Sequence, residues 1–322
     1  MLVAAVWRDF RTAQKLVDEH PGCNLYERTR SLRSVLRIFS KSAERFFENL
    51  GRFKAETLDD SLFRRNRKSD FEEFEAGFQE NLFIFASSAM TLADQSRALS
   101  RKVDLPGYSE RVESTFRGNP RHKFIQELRN DLIHVTLHKP QYQVTTNFEN
   151  HESTCRFMLW PDKLSRSGEY HTLARAYIRD HSQGIDLGEL IESYRRDVND
   201  FHGWLNAALD SVVGDQITDY LRCVKRIKAV SSRSLWNIIF RQVLLPGKRD
   251  PYQYLDQYLT PTELTEVNKL PFRSKEQVDC IISLVDEYEA CDSALRDVVY
   301  KAFGVKSPQP VVPVDAERIR HN

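Results

Sequence analysis

The sequence predicts a mainly α-helical protein that carries one small β-hairpin. Apolar residues recur at three- and four-residue steps over most of the 322 residues, which is the pattern of amphipathic helices. The chain has only 12 Gly and 12 Pro, which is few for its length and favours long helices. Just after Pro140 the apolar period changes to two, which indicates strands.

Two long helices are expected in the first hundred residues. Their apolar stripes run over Leu25–Phe53 and over Phe71–Leu92. The charged stretch Arg64-Arg65-Asn66-Arg67-Lys68 separates the two stripes. Ser69 or Asp70 then has the right side chain to cap the second helix.

A third helix and the hairpin occupy the middle of the chain. Pro120 suits the first turn of a helix that extends to between His134 and His138. Beyond it, apolar and polar residues alternate over Tyr142–Phe148, and Thr154–Leu159 is also rich in β-formers. Turn-forming residues lie between these two segments, so they are expected to pair as a β-hairpin.

Helices resume after the hairpin. One is expected over Tyr170–Arg179, and a long one begins near Asp186, with a break offered by Gly214. In the C-terminal third, Thr260-Pro261-Thr262-Glu263 has the form of a capping box with proline in the first turn. These signals predict helix on both sides of residue 214.

The last helical segment is expected to be one continuous helix. Ser274–Gln277 repeats the capping form ahead of an apolar stripe that runs from Val278 to Phe303, and Gly304 suits the C-terminal cap. Cys280 and Cys291 would then lie on this one helix. The chain is therefore expected to form a helical domain over residues 1–212 and a helical accessory region over 213–305. Residues 306–322, rich in proline, are expected to be a disordered tail.

The charge balance argues against a broad basic surface for nucleic acid. Lys and Arg total 47 against 46 Asp and Glu, which leaves a formal net charge of +1. A protein wrapped in nucleic acid through a wide basic surface would carry a larger positive excess. A small, local phosphate site remains compatible with this composition.

Cysteine usage and the N-terminus indicate a cytoplasmic protein. The five cysteines show no paired spacing and no CxxC or Cys/His zinc pattern, which is typical of a reduced compartment. Met1–Val6 is apolar, but Arg8 interrupts it too early for a signal peptide or a membrane span. No membrane contact is expected.

The segment Arg129-Asn130-Asp131-Leu132-Ile133-His134 brings three chemically useful side chains together in the third helix. Arg–His pairs at similar spacing occur elsewhere, as at Arg117/His122, so the spacing alone carries little weight. Among these pairs only Arg129 is followed directly by Asn. Requiring that Asn lowers the chance expectation to roughly 0.04 per chain of this composition.

This segment resembles the RNxxxH signature of HEPN-type ribonucleases. The resemblance covers roughly residues 70–210, takes the hairpin as an elaboration, and leaves residues 213–322 without a counterpart. It implies a short helical bundle that dimerises with the motif facing a shared cleft. It also implies metal-independent cleavage of RNA to 2′,3′-cyclic phosphate ends, with Arg129, Asn130 and His134 as the catalytic residues.

The chemistry of these residue types fits that activity without a cofactor. RNA carries its own nucleophile, the 2′-hydroxyl, and a histidine with a pKa near 6.5 can take or give the proton. Arginine is always charged and forks onto phosphate oxygens. Asn130 could orient the histidine or donate to a phosphate oxygen. On a regular helix Arg129 and His134 are about 140° apart, so a helix end or a second protomer must bring them together.

Two further groups of residues are candidate sites. Arg64, Arg65, Arg67 and Lys68 could follow an RNA backbone, although such a run is more often a solvated loop. His134 and His138 have the spacing of zinc ligands on a helix, but Pro140 ends that helix and no third ligand is evident. No metal and no cofactor are therefore expected.

The leading hypothesis is an endoribonuclease that acts as a homodimer on RNA. By resemblance its setting is a toxin–antitoxin pair or anti-phage defence, with an antitoxin or regulatory protein as partner. The alternative is a non-catalytic HEPN-like protein that binds a partner or RNA. That alternative predicts Arg129 paired with a carboxylate and His134 buried away from any cleft.

Overall fold

The computed structural model describes residues 11–12, 14–57, 67–134, 141–147, 152–164 and 167–305, and it is mainly α-helical with a small three-stranded sheet. We number the described helices and strands in chain order. They are α1 (Pro21–Thr57), α2 (Lys68–Ser100), α3 (Tyr108–Val112), α4 (Pro120–His134), β1 (Gln141–Asn147), β2 (Glu152–Leu159), α5 (Thr172–Asp180), β3 (Ile185–Asp186), α6 (Leu187–Ile238), α7 (Leu245–Gly247), α8 (Pro261–Asn268), α9 (Lys275–Val285) and α10 (Ser293–Phe303).

Shorter helical turns join several of these elements. A π-helical turn, Glu113–Arg117, continues α3, and a second one, Ile239–Leu244, follows α6. Single turns of 3-10 helix cover Pro161–Lys163 and Ser167–Glu169, and a longer one covers Pro251–Gln257.

The chain divides into two compact units. One is His20–Thr218, and the other contains Asp219 to residue 305 together with the described residues before His20. Helix α6 contributes residues to both units. The boundary expected after residue 212 stays a prediction, and the tail expected over residues 306–322 lies outside the described residues.

The core of the His20–Thr218 unit is rich in aromatic rings. The stripes of α1 and α2 pack on each other, with Phe39 stacked on Phe85 at 4.7 Å between ring centroids. Helix α6 adds Tyr194, whose ring meets the edges of both phenylalanines. Because these residues recur at helical spacing in the sequence, the predicted stripes and the observed core coincide.

The expected hairpin is present and is part of the core. β1 and β2 are antiparallel, with Gln141 opposite Met158, and β3 adds a short third strand beside β2. Phe157 on β2 is only 3% exposed and its ring lies 3.7 Å from that of Phe78 on α2. The hairpin therefore contributes a buried ring to the core of this unit.

The second unit has its own apolar core, which follows the predicted stripe of the C-terminal third. Val278 and Val267 are fully buried, and Phe303 packs on Tyr252 at 5.1 Å between ring centroids. The capping box at Thr260 and Glu263 is formed as predicted, with each side chain bonded to the other residue's backbone.

Three expectations about helix ends were wrong. Helix α6 passes through Gly214 without a break and continues to Ile238. Neither Ser69 nor Asp70 caps α2, because the helix begins at Lys68 and the Asp70 carboxylate accepts from Arg67 at 2.7 Å. The helix expected over the stripe from Val278 to Phe303 is two helices.

The interruption between α9 and α10 is produced by acidic side chains. The Asp286 carboxylate accepts from the backbone N–H groups of Ala290 and Cys291 at 2.8 and 2.9 Å, which closes a loop after α9. Asp292 then caps α10 by accepting from the Leu295 N–H. Cys280 lies on α9 and Cys291 lies before α10, so the two cysteines do not share a helix.

None of the described helices is long and apolar enough to cross a membrane.

Candidate phosphate-binding cleft

Helix α4 is amphipathic, and its two sides have different surroundings. Phe124, Ile125, Leu128 and Leu132 are buried in the core. Five polar residues fall on the other side, within an arc of about 120° on a regular helix. They are His122, Lys123, Gln126, Arg129 and Asn130. The helix therefore fixes the polar set through the burial of its apolar side.

These five residues line a cleft of about 280 Å³ in the His20–Thr218 unit. Helix α2 forms the facing wall with Met90, Ala93, Asp94, Ser96 and Arg97. Helix α3 and the π-helical turn complete it with Tyr108, Val112, Phe116 and Arg117. The cleft thus brings two of the three residues of the Arg-Asn-His motif to one concave surface.

Arg129 is held in this cleft by a chain of hydrogen bonds. Its Nη1 donates to Asn130 Oδ1 at 3.2 Å, and Asn130 Nδ2 donates to Glu127 Oε2 at 3.4 Å. The other oxygen of Glu127 accepts from the backbone N–H of His171, just before α5, at 3.0 Å. In this arrangement Asn130 orients the guanidinium of Arg129.

No acid of the described residues neutralises the charge of Arg129. Within the described ranges, no carboxylate pairs with Arg129, and its Nε is buried without a hydrogen-bond partner. Asp131, two residues after Arg129 in the chain, is 2% exposed and accepts a hydrogen bond from the Tyr170 hydroxyl. A buried donor left without a partner costs about 1–3 kcal/mol.

His134 is the last residue of α4, and its side chain lies outside the described part of the structure. Its backbone position is five residues beyond Arg129, about 7.5 Å along the helix axis and about 140° around it. His138 also lies outside the described residues. The structure therefore leaves the expected convergence of Arg129 and His134 as a prediction.

The cleft is lined by more cations than anions. Arg97 pairs with Asp94 at 3.1 Å, and Arg117 pairs with Glu113 at 3.7 Å. Lys123 donates only to the neutral amide of Gln126, at 3.3 Å. Asp94 is the one carboxylate among the described lining residues. With Lys123 and Arg129 uncompensated, the cleft suits an anion better than a metal ion.

His122 forms part of the same cleft and is held in one orientation. It is 7% exposed, and its Nδ1 lies 2.7 Å from the Tyr194 hydroxyl. Burial is the largest of three causes that together lower the pKa of His122 to about 4; the other two are the charges of Lys123 and Arg97. His122 is therefore neutral at physiological pH.

The described part of the basic run before α2 pairs with acids of this chain, and RNA binding by the run stays a prediction. Arg67 forms ion pairs with Asp70 and Glu56, and the hydrogen bonds that it donates to these two carboxylates raise its pKa. Lys68 pairs with Glu72 at 3.5 Å. Arg64 and Arg65 lie outside the described residues. Arg67 therefore joins α1 to α2, because its charge is shared with acids of this chain.

Sequence reasoning found Arg129 and Asn130 but missed Lys123, Gln126 and His122 as their neighbours. The signal was available, since residues at steps of three, four and seven lie on one side of a helix. The same pattern is also typical of a solvent-exposed helix side, and nothing in the sequence indicated that α2 and α3 would pack against this side of α4.

Comparison of the chain with known protein families, with curated proteins and with solved structures found no match.

Proposed function

We propose that this protein is a metal-independent endoribonuclease of the HEPN type that acts as a homodimer. The observation that carries the proposal is the state of Arg129. It lies in the wall of a cleft, it has no acidic partner among the described residues, and its Nε is buried and unbonded. An arginine in the wall of a cleft and without an acidic partner is suited to a phosphate, because its charged guanidinium can fork onto phosphate oxygens.

The proposed reaction uses groups that RNA and this chain supply. His134 removes the proton of a 2′-hydroxyl, or gives a proton to the departing 5′-oxygen, as a general base or acid. The 2′-oxygen bonds to phosphorus, the bond from phosphorus to the 5′-oxygen breaks, and a 2′,3′-cyclic phosphate results. Arg129 stabilises the negative charge that grows on the phosphate oxygens, and Asn130 acts as its positioning residue.

A homodimer is proposed because of the helix geometry. Arg129 and His134 are about 140° apart on α4, so one phosphate meets both most simply when two copies of the helix approach each other. Each composite site would then use Arg129 of one protomer and His134 of its partner.

RNA cleavage by the purified protein in EDTA tests the proposal. The expected products end in 2′,3′-cyclic phosphate, and His134→Ala and Arg129→Ala each lower the cleavage rate on the order of 100-fold or more. Arg37→Ala is the matched control, because Arg37 is exposed on α1 and lies outside the cleft. Its rate should equal that of the unaltered protein.

Two results would contradict the nuclease assignment. One is the absence of cleavage by folded protein on structured and unstructured RNA. The other is cleavage that His134→Ala leaves unchanged. If RNA binds but is not cut, the alternative of a non-catalytic RNA-binding protein replaces the nuclease.

A further inference from the structure

The cleft extends well beyond Arg129 and carries a second positive charge that the proposed cleavage does not use. Lys123 lies six residues before Arg129 on α4, about 9 Å away by helical rise and about 120° around the helix, and both residues line the cleft. Both side chains are long and flexible, so their charged ends can contact two ligand groups that are less than about 9 Å apart. Two cations at this spacing suit two successive phosphates of one strand.

We propose that the part of the cleft around Lys123 is a subsite for the phosphate next to the scissile one in single-stranded RNA. The inference rests on the proposed function, because it takes Arg129 as the residue that meets the scissile phosphate. Lys123 is the principal cation of this subsite, and Arg117 supports it from the π-helical turn.

The ion pairs in the cleft favour Lys123 for this role. Arg97 and Arg117 already share their charges with Asp94 and Glu113 in exposed pairs. Lys123 donates to an uncharged amide, and the described residues offer it no carboxylate within ion-pairing distance. An exposed ion pair is weak, so Arg117 can leave Glu113 and bind a phosphate at a small cost in free energy. Lys123 has no ion pair with a described residue to break before it binds a phosphate.

The shape and walls of the cleft favour a single strand. A space of about 280 Å³ is near the lower end of the range for small-ligand sites and has no room for a duplex. Met90, Val112 and Phe116 supply apolar wall opposite the cations, and the Tyr108 hydroxyl is bonded to Ser96 at 3.3 Å. One nucleotide, with its phosphate on Lys123 and its sugar or base on this wall, fits such a site.

The π-helical turn places part of this wall. Its wider turn over Glu113–Arg117 directs buried Phe116 inward, where the ring packs on Phe201 and on the ring of His122. Arg117 remains exposed at the rim. Single π-helical turns are frequent at functional sites, which agrees with a binding role for this rim.

Fluorescence anisotropy with an uncleavable RNA tests the subsite separately from catalysis. The probe is a labelled 2′-O-methyl hexanucleotide, which keeps every phosphate but has no free 2′-hydroxyl to attack. We expect Lys123→Ala to weaken binding on the order of 10-fold. We also expect it to reduce the slope of log affinity against log salt by about 0.7, the value for one phosphate on a single strand.

Matched variants and ligands make the result specific. Lys123→Arg should restore binding, and Lys41→Ala, an exposed lysine on α1 outside the cleft, should bind like the unaltered protein. A duplex of the same length, AMP and inorganic phosphate should all bind more weakly than the hexanucleotide. Equal or tighter binding of any of these three would overturn the assignment to single-stranded RNA.

The pKa of His122, which lines the cleft, reports whether the hexanucleotide binds there. An anion beside Lys123 and Arg97 offsets the charges that lower the pKa of His122, so the hexanucleotide should raise that pKa. The ring resonance of His122, assigned with His122→Asn, reports the shift. If Lys123→Ala binds the hexanucleotide as tightly as Lys41→Ala, the subsite is refuted even where cleavage occurs. If Lys123→Ala weakens binding but the unaltered protein cleaves no RNA, the subsite is supported and the nuclease proposal is contradicted.

Discussion

Arg129 donates a hydrogen bond from Nη1 to the side-chain oxygen of Asn130, its neighbour in the chain, at 3.2 Å. Adjacent residues on a helix normally point about 100° apart, so this contact requires the long arginine side chain to turn back over the asparagine. The bond directs the guanidinium along the polar arc of α4, where it meets the cleft. Asn130 is held in turn by Glu127.

Asn130→Asp should place a carboxylate beside Arg129 while keeping the shape of the side chain at position 130. The new carboxylate would form an ion pair with the guanidinium and so compete with a phosphate. We expect binding of the uncleavable hexanucleotide and the rate of RNA cleavage both to fall on the order of 10-fold. Asn199→Asp adds the same charge at an exposed position on α6 and serves as the control. Equal effects of the two variants would show that Asn130 does not position Arg129.

Mixed dimers can reveal whether a site is shared between protomers. A dimer of one Arg129→Ala and one His134→Ala chain contains one intact composite site if the two residues act across the interface. It contains no intact site if they act within one chain. After free exchange of the two inactive variants in equal amounts, about one quarter of the original activity should return. Cleavage rates before and after mixing test this, and no recovery would refute the shared site.

The stability of the His20–Thr218 unit should decline in mild acid because of two buried histidines. Burial lowers the pKa of both His122 and His202 to about 4. Between that pKa and the usual value near 6.5, the unfolded chain binds more protons than the folded protein. The free energy of unfolding should therefore fall as the pH decreases through this range, by up to about 1.4 kcal/mol per pH unit for each histidine.

Urea denaturation at about pH 7 and about pH 5 measures this dependence. His202→Gln removes one of the two titrating groups and should flatten the change between the two pH values. Asn199→Gln is the comparison, because Asn199 is exposed and its replacement removes no titrating group. A pH dependence that His202→Gln leaves unaltered would contradict the assignment.

Phe157→Ala tests whether the hairpin is part of the core. The ring of Phe157 lies 3.7 Å from that of Phe78 and 5.1 Å from that of Phe53, measured between centroids. Deleting it should lower the free energy of unfolding by roughly 3–5 kcal/mol, as for any large buried ring. Val144→Ala is the control on the same sheet, since Val144 is 41% exposed and should cost far less. Thermal or urea unfolding provides the measurement, and similar costs would indicate a peripheral hairpin.

The sequence predicted most helices correctly because each buries a continuous apolar stripe. The stripes of α1 and α2 and the signals at Pro120, Thr260 and Gly304 are local patterns, and local patterns are what a single sequence shows. The expectations that were wrong concern places where a side chain competes with the helix or where packing outweighs propensity. Asp286 interrupts an apolar stripe by bonding backbone groups, and Gly214 is carried through α6 by the helix on either side of it.

By itself the sequence determined that α4 is an amphipathic helix with Arg129 and Asn130 on its polar side. It also determined that they share this helix with His134, because spacing and periodicity are properties of the chain alone. Only the tertiary structure decided what that polar side faces. Helix α2 and the turn after α3 come from earlier parts of the chain, and their packing encloses Lys123, His122 and Arg129 in one cleft. The tertiary structure also decided that Asp131, two residues after Arg129, accepts a hydrogen bond from Tyr170. Contacts between distant segments depend on how several helices pack at once, and no local pattern encodes them.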